Sequence, residues 1–199
     1  MLHLSMRRQL LLAGVVGCSL LLGACKRSAA PVFHGNDITG AQFAQDFRLT
    51  DPDGKERTLA DFRGKAVAVF FGYTQCPDVC PTALSRAVEV KRLLGPDAGR
   101  FQVVFVTVDP ERDTPVVLKA YMAAFDPGFI ALYGSPQRIA DTATSYRVMY
   151  RKVPTASSYS MDHTSSTFVY DPDGNLRLQL RHAMSASDFA DDIRTLLHS

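Results

Sequence analysis

Cys76 and Cys80, in the run Phe70-Phe71-Gly72-Tyr73-Thr74-Gln75-Cys76-Pro77-Asp78-Val79-Cys80-Pro81-Thr82, are the residues of this 199-residue chain most able to do chemistry. Two thiols four positions apart act together only if the backbone folds back on itself. An extended path would separate their Cα atoms by roughly 13 Å and one helical turn by about 6 Å. A disulfide wants Cα atoms within about 4.4–6.8 Å, and a metal held by two thiolates at about 2.3 Å each keeps the sulfurs no more than roughly 4.6 Å apart. Spacing alone therefore admits a stabilising disulfide, a redox pair or half of a metal site.

His163, in Tyr159-Ser160-Met161-Asp162-His163-Thr164-Ser165-Ser166, is the third candidate. Two thiolates and an imidazole form a soft trigonal set that suits Cu(I), and Cu(II) when a further weak ligand joins. Zn(II) in a closed site would want a fourth protein ligand, and His182 or a carboxylate is the available choice. Asp78 between the thiols, Asp109 at a strand end and Asp162 beside His163 are the carboxylates that could tune such a site, although Asp109 could equally serve a loop salt bridge with Arg112. Met161 is expected to fill a packing gap, and His34, His182 and His198 to lie on the surface.

The elements that must position these residues follow from the apolar pattern. Ala66 to Phe71, bounded by glycines, reads as a strand buried on both faces and delivers the cysteines to its C-terminal end. A helix is expected from Pro81, with Leu84, Val88, Lys91 and Leu94 at helical spacing up to Gly95-Pro96, so the thiols fall at a helix N-terminus, where the dipole lowers a thiol pKa. Phe101 to Val108 is a second buried strand, joined to the first by a right-handed parallel crossover. Beyond it come the charged loop Asp109 to Thr114, a helix from Pro115 to about Phe125, a strand at Ile130 to Tyr133 and a helix capped by Ser135. Strands at Val148 to Val153, Thr167 to Tyr170 and Leu176 to Leu180 follow, then a last helix from about Ala186 to Leu197. Asp53-Gly54 and Asp173-Gly174 are hairpin signals. His163, read as lying in the loop before Thr167, reaches the cysteine edge only if the strand Thr167 to Tyr170 runs antiparallel to Ala66 to Phe71.

The N-terminus is of another kind. Arg7 and Arg8, the apolar run Leu10 to Leu22 and Gly23-Ala24-Cys25 resemble a bacterial lipoprotein signal, too short to span a bilayer at about 20 residues per crossing. The expected organisation is a signal peptide over 1–24, a lipid-anchored tether over 25–40 with acylated Cys25, and one domain over 41–199. Cys18 would leave with the signal and Cys25 would carry lipid, so Cys76 and Cys80 are the only free thiols of the mature chain, in an oxidising compartment. Setting Arg7 and Arg8 aside, the 22 basic residues fall to parity with the 20 acidic ones, which excludes a nucleic-acid footprint.

Gly72-Tyr73-Thr74-Gln75-Cys76-Pro77-Asp78-Val79-Cys80-Pro81-Thr82, Val108-Asp109-Pro110-Glu111-Arg112-Asp113-Thr114-Pro115 and Asp162-His163, in this order, resemble the Sco/SenC family of copper-binding assembly proteins, over most of the mature chain. The resemblance implies an α/β fold: a thioredoxin-like mixed sheet flanked by helices, here with an N-terminal β-hairpin extension. It implies a copper site of Cys76, Cys80 and His163, with a Cys76–Cys80 disulfide as the alternative redox state. The implied role is that of a metallochaperone, not a turnover enzyme, serving the dinuclear copper A centre in subunit II of cytochrome c oxidase. That service is either copper transfer or reduction of the subunit's cysteines by thiol-disulfide exchange. The implied setting is the periplasmic face of a bacterial membrane, with subunit II, another copper chaperone and a thioredoxin-like reductant as partners. Two departures from ordinary thioredoxins favour metal: one residue more between the cysteines than in Cys-x-x-Cys, and Ser165-Ser166-Thr167 where a proline would enter the facing strand. Thr74 stands two positions before Cys76, not the three of a peroxiredoxin.

Overall fold

The computed structural model describes residues 31–199, so the signal peptide expected over 1–24 and the lipid anchor expected at Cys25 lie outside the described residues. Its centre is β4 (Ala66–Gly72), flanked by β5 (Phe101–Thr107); every residue of both strands is buried. Such two-sided apolar runs are stable only between layers that cover both faces. β4 pairs in parallel with β5, and β5 with β6 (Ile130–Leu132). On its other side β4 meets β9 (Thr167–Tyr170), which runs antiparallel and continues through the Asp173-Gly174 turn into β10 (Leu176–Leu180). With β1 (Asn36–Asp37) on the outer edge the sheet has the order β1-β10-β9-β4-β5-β6. The mixed sheet and the antiparallel β9 are as expected, and they bring the chain entering β9 to the edge where β4 ends, with Thr167 opposite Phe70.

Four α-helices stand among the described residues: α1 (Val79–Leu94), α2 (Pro115–Ala123), α3 (Pro136–Ser145) and α4 (Ala186–His198). α1 packs against α4, and α2 against β6. α1 buries Cys80, Leu84, Ala87, Val90 and Leu94, a stripe at 3–4 residue spacing that starts at the thiol itself. It passes through Ala87 and Val90 instead of the expected Val88 and Lys91. Lys91 instead pairs with Asp126 at 2.7 Å. α1 stops at Gly95, whose φ of 56° is readily adopted only by glycine. Thr114, Ser135 and Ser185 cap the other three helices through their hydroxyls.

The N-terminal ribbon is β2 (Leu49–Thr50) paired with β3 (Glu56–Arg57), its turn held by the Asp51 carboxylate, which accepts from the amides of Asp53 and Lys55. Packed structure begins earlier than the tether boundary expected at residue 40. Asn36 and Asp37 pair with β10, and the amides of His34 and Gly35 donate to the buried carboxylate of Asp192, both at 2.8 Å. The side chains of β1 are exposed, so no apolar alternation announces it; its pairing uses backbone groups and one buried acid.

The other difference lies at the site. Tyr159 to His163 is not loop but strand β8, paired with β7 (Tyr150–Pro154) as a two-stranded sheet of its own. The sequence Tyr-Ser-Met-Asp-His shows weak alternation because only Met161 is fully buried. No helix among the described residues is long and apolar enough to cross a membrane.

Candidate metal centre

Between β4 and α1 the chain folds back within six residues. The amide of Val108 donates to the Gly72 carbonyl, and the amide of Cys76 to the Tyr73 carbonyl. The loop is then tied down by Asp113, a residue not singled out in the sequence. Its carboxylate accepts from the amide of Thr74 at 3.1 Å and from the hydroxyls of Thr74 and Thr107 at 2.6 Å. Burial raises the Asp113 pKa above the ordinary carboxylate value, outweighing the hydrogen bonds that favour its charge.

The two thiols are free and unlike each other. Cys80, in the first turn of α1, is completely buried, and its Sγ packs over Gly72: a Cβ on that glycine would lie 2.7 Å from the sulfur and 2.8 Å from the Phe105 ring. Gly72 thus appears in sequence as a strand terminator, but in space its role is to leave room for a sulfur. Burial pushes the Cys80 thiol far above its ordinary pKa, with the neighbouring Cys76 adding to the effect. The expectation that the helix N-terminus would lower the thiol pKa is not met at Cys80, where desolvation is the largest influence and raises it. Cys76 is partly exposed, and its Sγ accepts from the amide of Cys80 at 3.4 Å, taking the place of a cap that Asp78 does not provide. The Asp78 side chain instead accepts from the Thr82 hydroxyl at 3.3 Å.

His163 arrives from the end of β8. Its Nδ1 lies 3.1 Å from the Thr164 carbonyl, which can only accept, so Nδ1 carries the proton and Nε2 presents its lone pair. That Nε2 is 3.6 Å from Cys80 Sγ. The ring meets Phe70 and Tyr73 edge-on, at centroid distances of 6.1 and 5.9 Å. Burial lowers the His163 pKa, which keeps the imidazole neutral and able to coordinate.

The donor atoms of Cys76, Cys80 and His163 all lie within 4.8 Å of one another. Three donors about 2.2 Å from a common centre stand about 3.8 Å apart in a trigonal plane, so an ion fits after sulfur displacements of the size a side-chain torsion supplies. Among the described residues this group has no fourth His, Cys, Asp or Glu, which fits a soft three-coordinate ion better than closed tetrahedral zinc. With Nε2 unprotonated and 3.6 Å from Cys80 Sγ, a proton on that thiol can be donated to it, and a bound ion would replace the proton.

The remaining expected residues divide. Asp109 is buried and accepts from Arg112 Nε and, at 2.8 Å, from the Tyr159 hydroxyl. Asp162 points the other way, its neighbour on the strand being His163, and pairs with Arg151 on the surface. Met161 is buried on the same strand face as His163. His34 and His198 are exposed as expected; His182 is not, being half-buried with an unpartnered Nδ1 and a pKa lowered by desolvation and by Arg86.

Comparison with known proteins agrees with this geometry. The SCO1/SenC family model matches residues 35–198. The mitochondrial SCO2 homolog of Bos taurus is 37% identical over 187 residues, covering 92% of this chain and 70% of its own. The copper-bound ScoI of Bradyrhizobium japonicum is 41% identical with a TM-score of 0.69, over 81% of this chain and 98% of that one. The apo Sco1 of Thermus thermophilus is 36% identical with a TM-score of 0.72, over 84% and 98%. The fold they share with this protein is the thioredoxin-like mixed sheet described above. By a family model spanning nearly the whole described domain, and by relatives of this closeness, the chain belongs to the SCO1/SenC family.

Proposed function

We propose that this protein binds copper as cargo through Cys76, Cys80 and His163 and delivers it during assembly of the copper A centre in subunit II of cytochrome c oxidase. The observation that carries the reading is the convergence of two thiols and a neutral imidazole nitrogen within 4.8 Å at the end of β4. Cu(I) suits two thiolates and one nitrogen, and an open coordination position lets an incoming thiolate displace one donor at a time. The half-exposed Cys76 is the ligand an acceptor meets first. Copper-bound relatives such as the ScoI of Bradyrhizobium japonicum support the choice of ion. A lipid on Cys25 would hold the domain at the periplasmic face of the membrane, with another chaperone loading it and a thioredoxin-like reductant keeping the thiols reduced.

Anaerobic titration of the reduced protein with Cu(I) against a chelator tests this. His163→Ala should weaken binding by at least about tenfold, no less than loss of a partner that merely supports a donor costs, and remove the nitrogen neighbour from the X-ray absorption spectrum; unchanged affinity and an unchanged spectrum would discard the three-donor site.

A second reading rests on the free thiols at the edge of a thioredoxin-like sheet. Cys76 would attack a disulfide of subunit II and Cys80 would resolve the mixed disulfide. Two thiols here become one disulfide while the partner gains two electrons and two protons. This reading expects stoichiometric reduction of an oxidised subunit II fragment by metal-free protein and by His163→Ala alike.

A further inference from the structure

The run Asp109-Pro110-Glu111-Arg112-Asp113, conspicuous in sequence, supplies no donor to the metal group, yet it touches both halves of it. Arg112 is the centre of these contacts. Its Nη1 donates to the backbone carbonyl of Tyr159 at 2.8 Å and to the side chain of Gln75, the residue before Cys76, at 3.1 Å. Its Nε donates to Asp109, whose other oxygen accepts from the Tyr159 hydroxyl. The guanidinium plane lies over the Tyr159 ring, 3.7 Å from its centroid. One planar cation therefore holds the start of β8 directly by carbonyl and ring and, through Asp109, by the Tyr159 hydroxyl, and it holds the thiol loop by Gln75.

That matters because β8 pairs as a strand with β7 alone and not with the main sheet. Tyr159, Met161 and His163 share one strand face by alternation, so the orientation of the Tyr159 ring fixes the face on which His163 is presented. β7 pairs with β8 along its whole length, from Tyr150 opposite His163 to Pro154 opposite Tyr159, so what the Arg112 contacts add is a tie between the Tyr159 end of this hairpin and the loop of Cys76. The arrangement leaves Arg112 Nη2 buried without a partner, a cost that an arginine serving only as a surface ion pair avoids by pointing into water. Arg112 is chosen over lysine for the same reason it fits: a rigid fork that stacks and donates in several directions at once.

We propose that Arg112 is a positioning residue for metal binding, registering the β8 strand of His163 against the loop of Cys76 by its shared contacts to Tyr159, Asp109 and Gln75. This rests on the three-donor reading above.

The test uses the full reduced protein and has two independent readouts. In metal-free protein, amide hydrogen exchange of residues 159–163 should accelerate about tenfold in Arg112→Gln, with the amides of β4 and α1 unchanged. With Cu(I), affinity should fall about tenfold and the nitrogen neighbour should weaken in the absorption spectrum, approaching His163→Ala. Arg112→Lys, which keeps the charge but not the fork, should behave like Arg112→Gln. Tyr159→Phe keeps the ring and loses only the hydroxyl bond to Asp109, so it folds if the larger changes do not, and should show the same exchange pattern about threefold weaker. Full retention of wild-type exchange and nitrogen ligation in Arg112→Gln, or complete rescue by Arg112→Lys, would overturn the proposal. If instead wild type and His163→Ala bind copper alike, the three-donor reading fails while the exchange measurement still judges Arg112.

Discussion

The turn carrying Cys76 and Cys80 hangs from two fully buried strands and runs into a helix whose apolar stripe begins at a thiol, whereas the hairpin carrying His163 pairs only with itself. On the thiol side, position is set by the core: Gly72 leaves room for the Cys80 sulfur, and Asp113 fixes Thr74 from below. On the histidine side, position is set by a few polar and stacking contacts around Arg112 and by the rings of Phe70 and Tyr73. Packed cores resist local opening; peripheral hairpins held by exposed hydrogen bonds open at much lower free energy. A site built from both can keep its sulfur pair in place while the nitrogen donor comes and goes. Such a difference would serve the release of copper proposed above.

The asymmetry can be broken from either side. Cys80→Ser should weaken Cu(I) binding by more than about 100-fold, exceeding the 10–100-fold range that loss of a supporting partner typically costs, because an anionic soft donor is lost; chelator competition measures it. Gly72→Ala should cost about 1–3 kcal/mol in urea unfolding through overpacking against Cys80 and Phe105, and should lower copper affinity with it. A Gly72→Ala protein as stable as wild type would mean that the thiol edge is softer than its packing implies.

Acidity sharpens the contrast between the two donors. Cys80 is held protonated well above its ordinary pKa, so at neutral pH the ion must expel its proton, and affinity should rise up to about tenfold per pH unit for each proton released. His163, with its pKa lowered by burial, is already neutral near pH 7 and should begin to compete for protons only as pH falls through that lowered value. Titrations at several pH values, corrected for chelator protonation, should therefore show a slope above neutrality set by thiols alone. The smallest effect is expected at Arg151, whose pair with Asp162 is exposed: Arg151→Ala should change stability by no more than about 0.5 kcal/mol and leave copper affinity unaltered.

Much of this could be read in the amino-acid order. Buried strands announce themselves as unbroken apolar runs, so Ala66 to Phe71 and Phe101 to Val108 were legible, and with them the edge to which Cys76 and Cys80 are delivered. Helix ends were legible where Ser135 or Gly95 marks them. The strand character of Tyr159 to His163 was not, because a two-stranded sheet with one fully buried side chain leaves almost no period-2 signal. Nor was β1, whose pairing depends on backbone groups and on Asp192, more than 150 residues away.

Composition and spacing by themselves determined that two thiols had to fold back on one another and that a histidine ahead of an antiparallel strand could join them. Only the tertiary structure decided what each donor is: that burial raises the Cys80 pKa; that Gly72 is there to admit a sulfur; and that Asp109 and Arg112 face Tyr159 and not solvent. Local order reports periodicity and chain reach, which act between near neighbours. Desolvation, close approach and the sharing of one guanidinium between Gln75 and Tyr159 depend on segments far apart in the chain meeting at one edge of a sheet.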